Sequence, residues 1–217
     1  MKDFNKQLKI TEIFHSLQGE STTVGLPTVF VRLTGCPLRC NYCDTAYAFT
    51  NGEHRDMDEI LATVASYQCR HVCVTGGEPL AQPGCILLLK KLADAGHFVS
   101  LETSGARDIA DVDSRVMIVM DLKTPDSKEC DKNLFSNLEH LKSTDQIKFV
   151  LCSRSDYEWA KGLILEHSLT ERVQVLFSPS WNQLNYTDLA NWIIEDKLSV
   201  RFQLQLHKIL WNDAPGH

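Results

Sequence analysis

The sequence predicts an α/β fold built on one mostly parallel sheet, and three observations carry this. Apolar, strand-like runs alternate with segments of helical periodicity along the chain. At 217 residues there are too few units for a complete eightfold barrel. Two stretches, Asp108–Arg115 and Lys123–Gln146, lack a long helical pattern. The expectation is a single domain over residues 1–217: an open, partial TIM-type barrel of about six mostly parallel strands, with a thinned outer helix layer.

In chain order, Leu8–Phe14 and Val29–Leu33 read as strands, rich in Ile, Val and Phe. Met57–Tyr67 reads as a helix, with Ile60, Leu61 and Val64 on one face and Asp56 as its cap. His71–Val74 reads as a buried strand, and Ile86–Ala95 as a helix ending at Gly96. His97–Glu102, Arg115–Asp121 and Gln146–Leu151 read as strands. Asp156–Glu166 is the next helix, Val173–Phe177 a strand, Leu184–Ile194 a helix and Val200–Leu206 a last strand. In such folds functional residues gather at the C-terminal ends of the strands.

Hydrophobic content of 43% and charged content of 23% are those of a globular protein. The net charge of −6 argues against direct nucleic-acid binding. The first residues lack the apolar core of a signal peptide, and no run reaches the ~20 apolar residues of a membrane span. The expected location is cytoplasmic, where the eight cysteines read as metal ligands or core residues rather than disulfides.

Three of them, Cys36, Cys40 and Cys43, stand at C-x3-C-x2-C spacing within Gly35–Thr45. One loop can thus aim three thiolates at one point, and thiolate is the soft ligand that iron–sulfur clusters take. A 4Fe–4S cube held this way keeps one iron open for an exogenous ligand. The competing reading is structural zinc, which normally closes four protein ligands.

Other motifs close strands. In Thr75-Gly76-Gly77-Glu78-Pro79 the glycines let backbone approach a ligand, and Glu78 can accept from an ammonium or hydroxyl. Otherwise it is a tight strand-to-helix turn. Glu102-Thr103-Ser104-Gly105 and Asp121-Leu122-Lys123 read either as ligand contacts or as turns. Gln18 and Glu20 suit the guanidine-like edge of a pterin or purine. Arg32, in an apolar strand, needs a partner, either a substrate carboxylate or a buried salt bridge. Asp44-Thr45 can give oxygen to a hard cation such as Mg2+. His207 can hydrogen-bond a heterocycle, although most lone histidines do not.

The cysteine spacing resembles that of the radical S-adenosylmethionine (SAM) superfamily. Ser16-Leu17-Gln18-Gly19-Glu20, Arg32-Leu33-Thr34-Gly35-Cys36, Cys43-Asp44-Thr45, Thr75–Pro79, Glu102–Gly105 and Gln205-Leu206-His207-Lys208 together resemble the 7-carboxy-7-deazaguanine synthase family. The resemblance implies a carbon–nitrogen lyase of queuosine biosynthesis. Such an enzyme contracts the ring of 6-carboxy-5,6,7,8-tetrahydropterin, with loss of ammonia, through a radical drawn from SAM. It implies a 4Fe–4S cluster on Cys36, Cys40 and Cys43, with Mg2+ at Thr45. Substrate contacts would come from Leu17, Gln18, Gly19, Glu20, Arg32, Thr75 and His207. SAM contacts would come from Tyr42, Cys43, Asp44, Gly77, Glu78, Glu102, Asp121, Leu122, Lys123, Ser178 and Pro179. It further implies a homodimer and a reducing partner such as flavodoxin or ferredoxin. Two rivals share parts of this pattern: an activase that makes a glycyl radical on a partner protein, and a non-enzymatic zinc protein.

Overall fold

The apolar runs assemble into one nine-stranded sheet in a computed structural model that describes residues 6–212, 214 and 216. The strands are β1 (Gln7–Leu17), β2 (Pro27–Leu33), β3 (Glu53–Asp56), β4 (His71–Gly76), β5 (Phe98–Thr103), β6 (Met117–Asp121), β7 (Gln146–Leu151), β8 (Gln174–Pro179) and β9 (Arg201–Phe202). Their order is β3-β1-β2-β4-β5-β6-β7-β8-β9. Every pairing from β2 to β9 is parallel, and β1 runs antiparallel to both of its neighbours. β3 and β9 end the sheet without pairing to each other, so the barrel is open.

Helices α1 (Met57–Ser66), α2 (Cys85–Asp94), α3 (Arg154–Glu166), α4 (Leu169–Arg172) and α5 (Tyr186–Glu195) form the crossovers, and α6 (Leu206–Trp211) follows β9. Local chemistry sets their starts. The Asp56 amide donates to Glu59 Oε2 (3.3 Å) at α1, Ser153 accepts from the Asp156 amide at α3, and Asn185 from Thr187 and Asp188 at α5. No helix joins β5 to β6, and only 3-10 turns lie between β6 and β7, which is the thinned layer.

Strand alternation divides the sheet into two faces. On the helix side, Val29, Val31, Leu33, Val72, Val74, Val99 and Leu101 bury against Ile60 and Val64 of α1 and Leu88, Leu89 and Leu92 of α2. Ile118, Met120, Leu122, Ile147, Phe149, Leu151, Val175 and Phe177 bury against Tyr157, Ala160 and Ile164 of α3 and Leu189 of α5. Each such side chain contributes roughly 1.5–3 kcal/mol.

The sheet holds nine strands where about six were expected, α4 and α6 lie where no helix was expected, and two strands depart further. β3 is wholly polar, Glu53-His54-Arg55-Asp56, and its sequence carries no strand signal because it only pairs the rim of β1. The last strand, expected over Val200–Leu206, is confined to Arg201–Phe202. The chain then leaves the ladder because the Leu206 amide donates to the Gly19 carbonyl (2.9 Å), and Leu206 opens α6. His207 therefore sits on a helix, not at a strand end. Among the described residues, no helix is long and apolar enough to cross a membrane.

Candidate active site

The inner face of the sheet ends in a cavity of about 220 Å³, lined by strand C-termini and the loops that follow them. Register explains its chemistry. Arg32 pairs across to Thr75, and Glu102 to Val119, on the inner face. Two residues further along β6 and β7, Asp121 and Lys148 are register partners on that same face. A polar row thus crosses strands whose other face is mostly apolar.

The cysteine loop leaves β2 at Thr34. Gly35 turns with φ +98°, a left-handed conformation that favours glycine, and its amide donates to the Ala48 carbonyl (2.8 Å). The Gly77 amide donates to the Leu33 carbonyl and the Glu78 amide to the Gly35 carbonyl (2.8 Å), so the glycine turn after β4 clamps the loop. A Cβ on Gly77 would lie 2.3 Å from the Gly35 carbonyl oxygen and 2.8 Å from Cys36 Cβ. Cys36, Cys40 and Cys43 are free thiols lining the cavity. Burial pushes all three up, Cys40 to about 11, although Lys123 nearby works in the other direction. Thiols in this state become thiolates when a cationic iron centre binds them. Among the described residues no three His, Cys, Asp or Glu side chains are placed to hold a single metal ion. A cubane takes each thiolate on a different iron, so this three-thiol donor set fits that cluster better than zinc.

Charged side chains cross the cavity floor in alternating sign. Lys148 Nζ lies 2.5 Å from Glu20 Oε2 and 3.5 Å from Asp121 Oδ2, and Lys123 Nζ lies 3.0 Å from Asp121 Oδ2. Burial favours neutral Glu20, but Lys148 and His207 outweigh it and hold the carboxyl below its ordinary value. Burial likewise works against the Lys123 and Lys148 ammoniums, and the neighbouring carboxylates (with the Cys40 and Cys43 thiols at Lys123) raise both above the ordinary lysine range. Lys123 Nζ also stands 5.6 Å from the Tyr42 ring centroid. Tyr42 Oη and Asp121 Oδ1 are buried without a hydrogen-bond partner, so two polar atoms beside the cysteines await a ligand.

At the other end, Gln18 Nε2 donates to Glu102 Oε1 (3.3 Å) and Thr75 Oγ1 to Glu102 Oε2 (3.0 Å). Arg32 Nε donates to Glu12 Oε1 (2.7 Å), and its guanidinium stands 5.6 and 5.8 Å from the Phe14 and Tyr47 rings. Thr45 Oγ1 donates to Asp44 Oδ1 (2.8 Å), and Asp44 is ion-paired to Lys208 (2.7 Å).

The cavity gathers Leu17, Gln18, Gly19, Glu20, Arg32, Thr75 and His207 with Tyr42, Cys43, Asp44, Thr45, Gly77, Glu102, Asp121 and Lys123. Four expected SAM contacts are not brought there. Glu78 is fully enclosed and accepts from Thr103 Oγ1, Ser104 N and Oγ, and Leu80 N, because a buried carboxylate needs its donors within the protein. Leu122 follows Asp121 by one residue and so faces the helices. Ser178 and Pro179 are buried within β8, while the following Ser180 and Trp181 reach the cavity. The Ser178 hydroxyl is buried without a partner. Residues not singled out from sequence include Lys148, Tyr47 and Phe14. Lys148 carries the same signal as Arg32, a lone cation in an apolar strand, Gln146-Ile147-Lys148-Phe149-Val150-Leu151.

Comparison with known proteins decides the family. The Radical SAM superfamily pattern matches residues 30–144. The 7-carboxy-7-deazaguanine synthase of Chlorobaculum tepidum is 43% identical, covering 96% of this chain and 97% of that protein. That of Koribacter versatilis is 41% identical, covering 94% and 97%. The chain belongs to the 7-carboxy-7-deazaguanine synthase family. The crystal structure of QueE from Escherichia coli shares its fold, with a TM-score of 0.77 and 24% identity, covering 93% of this chain and 95% of that one. A SAM-bound SuiB structure from Streptococcus suis shares the fold more distantly, with a TM-score of 0.55 and 14% identity, covering 79% and 45%. Membership in this radical SAM family brings a 4Fe–4S cluster and SAM as cofactors, and the glycyl-radical and zinc readings are not favoured.

Proposed function

We propose that the protein is a 7-carboxy-7-deazaguanine synthase that contracts 6-carboxy-5,6,7,8-tetrahydropterin with loss of ammonia. The observation that carries this is the meeting, in one cavity, of three cysteines with Gln18, Glu20, Arg32, Thr75 and His207. Cys36, Cys40 and Cys43 would hold the cluster, and Tyr42, Gly77, Asp121 and Lys123 would flank SAM. Cluster and SAM together supply the radical that starts the ring contraction.

The chain itself binds, orients and excludes water. Glu20 and Gln18 meet the N–H donors and carbonyl acceptor of the pterin's guanidine-like edge. Arg32 spends Nε on Glu12, which leaves the terminal nitrogens of its fork for the substrate carboxylate. His207 packs directly over Gly19, and the pair forms one wall against which the heterocycle would rest. The Thr45 hydroxyl, at the cavity wall beside Asp44, is the proposed protein ligand of Mg2+. Replacing Thr45 by Ala is expected to change the Mg2+ dependence of turnover, and unchanged dependence removes that assignment. A small reducing protein such as flavodoxin or ferredoxin, a homodimeric state and a cytoplasmic location complete the reading.

The test is anaerobic. Reconstituted protein is given SAM, Mg2+, a reductant and the pterin, and 7-carboxy-7-deazaguanine is sought by mass. Product that vanishes in Cys40→Ala supports reaction and cluster together. SAM cleavage without product from this pterin refutes the substrate.

A further inference from the structure

Lys148 occupies the middle of β7, where every residue is buried. A buried ammonium costs several kcal/mol unless closely paired, and an apolar residue of similar length often serves stability as well or better. The position of its charge is therefore informative. Lys148 Nζ reaches Glu20 Oε2 on one side (2.5 Å) and Asp121 Oδ2 on the other (3.5 Å). Glu20 Oε1 is fixed separately by Gln205 Nε2 (2.6 Å). A carboxylate offers about four acceptor sites, so two anchored oxygens still accept from a ligand.

The groups acting on Glu20 are Lys148 on β7 and Gln205 and His207 at the start of α6. Lys148 in turn lies among the carboxylates of Asp121 on β6 and Glu102 on β5. Lys148 donates a hydrogen bond directly to Glu20. Without Lys148, an enclosed Glu20 would face burial with its largest opposing charge removed, and a protonated carboxyl presents an O–H where an N–H edge needs an acceptor.

We propose that Lys148 is a positioning residue for substrate recognition, holding Glu20 ionised and aimed so that it accepts the N–H donors of the pterin edge. The proposal rests on the pterin reading above for its substrate, but not for the state of Glu20. Two measurements therefore go together on the cluster-loaded enzyme. The first is the affinity for 6-carboxy-5,6,7,8-tetrahydropterin by anaerobic calorimetry from pH 6 to 9. The second is the carbon-13 titration of glutamate carboxyls without ligand, with Glu20 assigned through Glu20→Gln.

Lys148→Met is expected to weaken binding about ten- to a hundredfold at pH 7, the range for losing a charged hydrogen bond. The deficit should shrink toward pH 9. Burial unopposed by Lys148 raises the Glu20 pKa, so the acceptor form is lost below that value and regained above it. Lys148→Arg should stay near wild type. Adding Lys148→Met to Glu20→Gln should cost nothing more. In the carbon titration Glu20 should remain ionised across the range in wild type and shift upward in Lys148→Met. An equal loss of affinity at every pH, or a Glu20 titration that does not move, overturns the proposal. If wild-type enzyme fails to bind the pterin, the substrate reading falls, while the Glu20 titration still decides whether Lys148 holds that carboxylate charged.

Discussion

Replacing Gly77 by Ala should prevent cluster loading while leaving the protein folded. The added Cβ would meet the Gly35 carbonyl oxygen at 2.3 Å and Cys36 Cβ at 2.8 Å, where ordinary contact begins at 3.4 Å. Neither side yields easily. The Gly77 amide is tied to the Leu33 carbonyl, and the Glu78 amide to the Gly35 carbonyl at 2.8 Å. The Gly35–Cys36 backbone must therefore move by about 1 Å, at a cost of roughly 1–3 kcal/mol typical of overpacking. That energy is a modest part of a domain's stability, but metal–thiolate distances tolerate only about 0.2 Å. Cys36 is the first of three ligands, so its displacement should leave the cluster incompletely held. The assay is iron and sulfide per chain after anaerobic reconstitution, read beside thermal unfolding of the metal-free chain. Wild-type iron content in Gly77→Ala, with wild-type absorbance, would refute the reasoning.

Further expectations follow from other positions. Gly162 lies inside α3 and a Cβ there meets nothing within 4 Å, so Gly162→Ala should raise unfolding stability by about 0.4–1 kcal/mol in urea titration, with unchanged turnover. Glu78→Gln turns an amide N–H2 toward the Thr103 and Ser104 donors and should cost about 1–3 kcal/mol by the same titration. Gly19→Ala places a Cβ 2.1 Å from His207 Nδ1, a side chain that can swing away. The melting temperature should hardly change, whereas kcat/KM should fall about tenfold or more as the ring loses its place.

How much was legible depended on whether a residue's signal was local. The cysteine loop, the glycine turn after β4 and the polar ends of β5 and β6 lie in short stretches whose spacing sets their geometry. Strand alternation could have excluded Leu122, because it follows Asp121 by one residue and must face the helices. Glu78 was not separable by pattern. Its side chain turns inward to donors on another strand, Thr103 and Ser104, which only the β4–β5 neighbourhood brings close. Lys148 carried the signal used for Arg32, yet its partner Glu20 is 128 residues away in sequence. β3 is polar throughout and exists because β1 offers it an edge. The turn that carries His207 off the sheet depends on one hydrogen bond to Gly19, invisible from Val200–Leu206 alone.

The joining of the chain's two ends at the cavity has a consequence for biosynthesis. Gln203 exchanges side-chain hydrogen bonds with the Ser21 backbone across 182 residues, Gln205 reaches Glu20, and Lys208 reaches Asp44 beside the last cluster cysteine. At roughly 5–20 residues per second, the ribosome makes the cysteine loop many seconds before it makes these partners. For that interval the three thiols are carried on a nascent chain whose cavity wall does not yet exist. Iron–sulfur delivery to the emerging chain would meet an open loop, and delivery to the finished chain one already fastened by Asp44 and Lys208. The residues that fasten the cluster loop are thus made long after the loop itself.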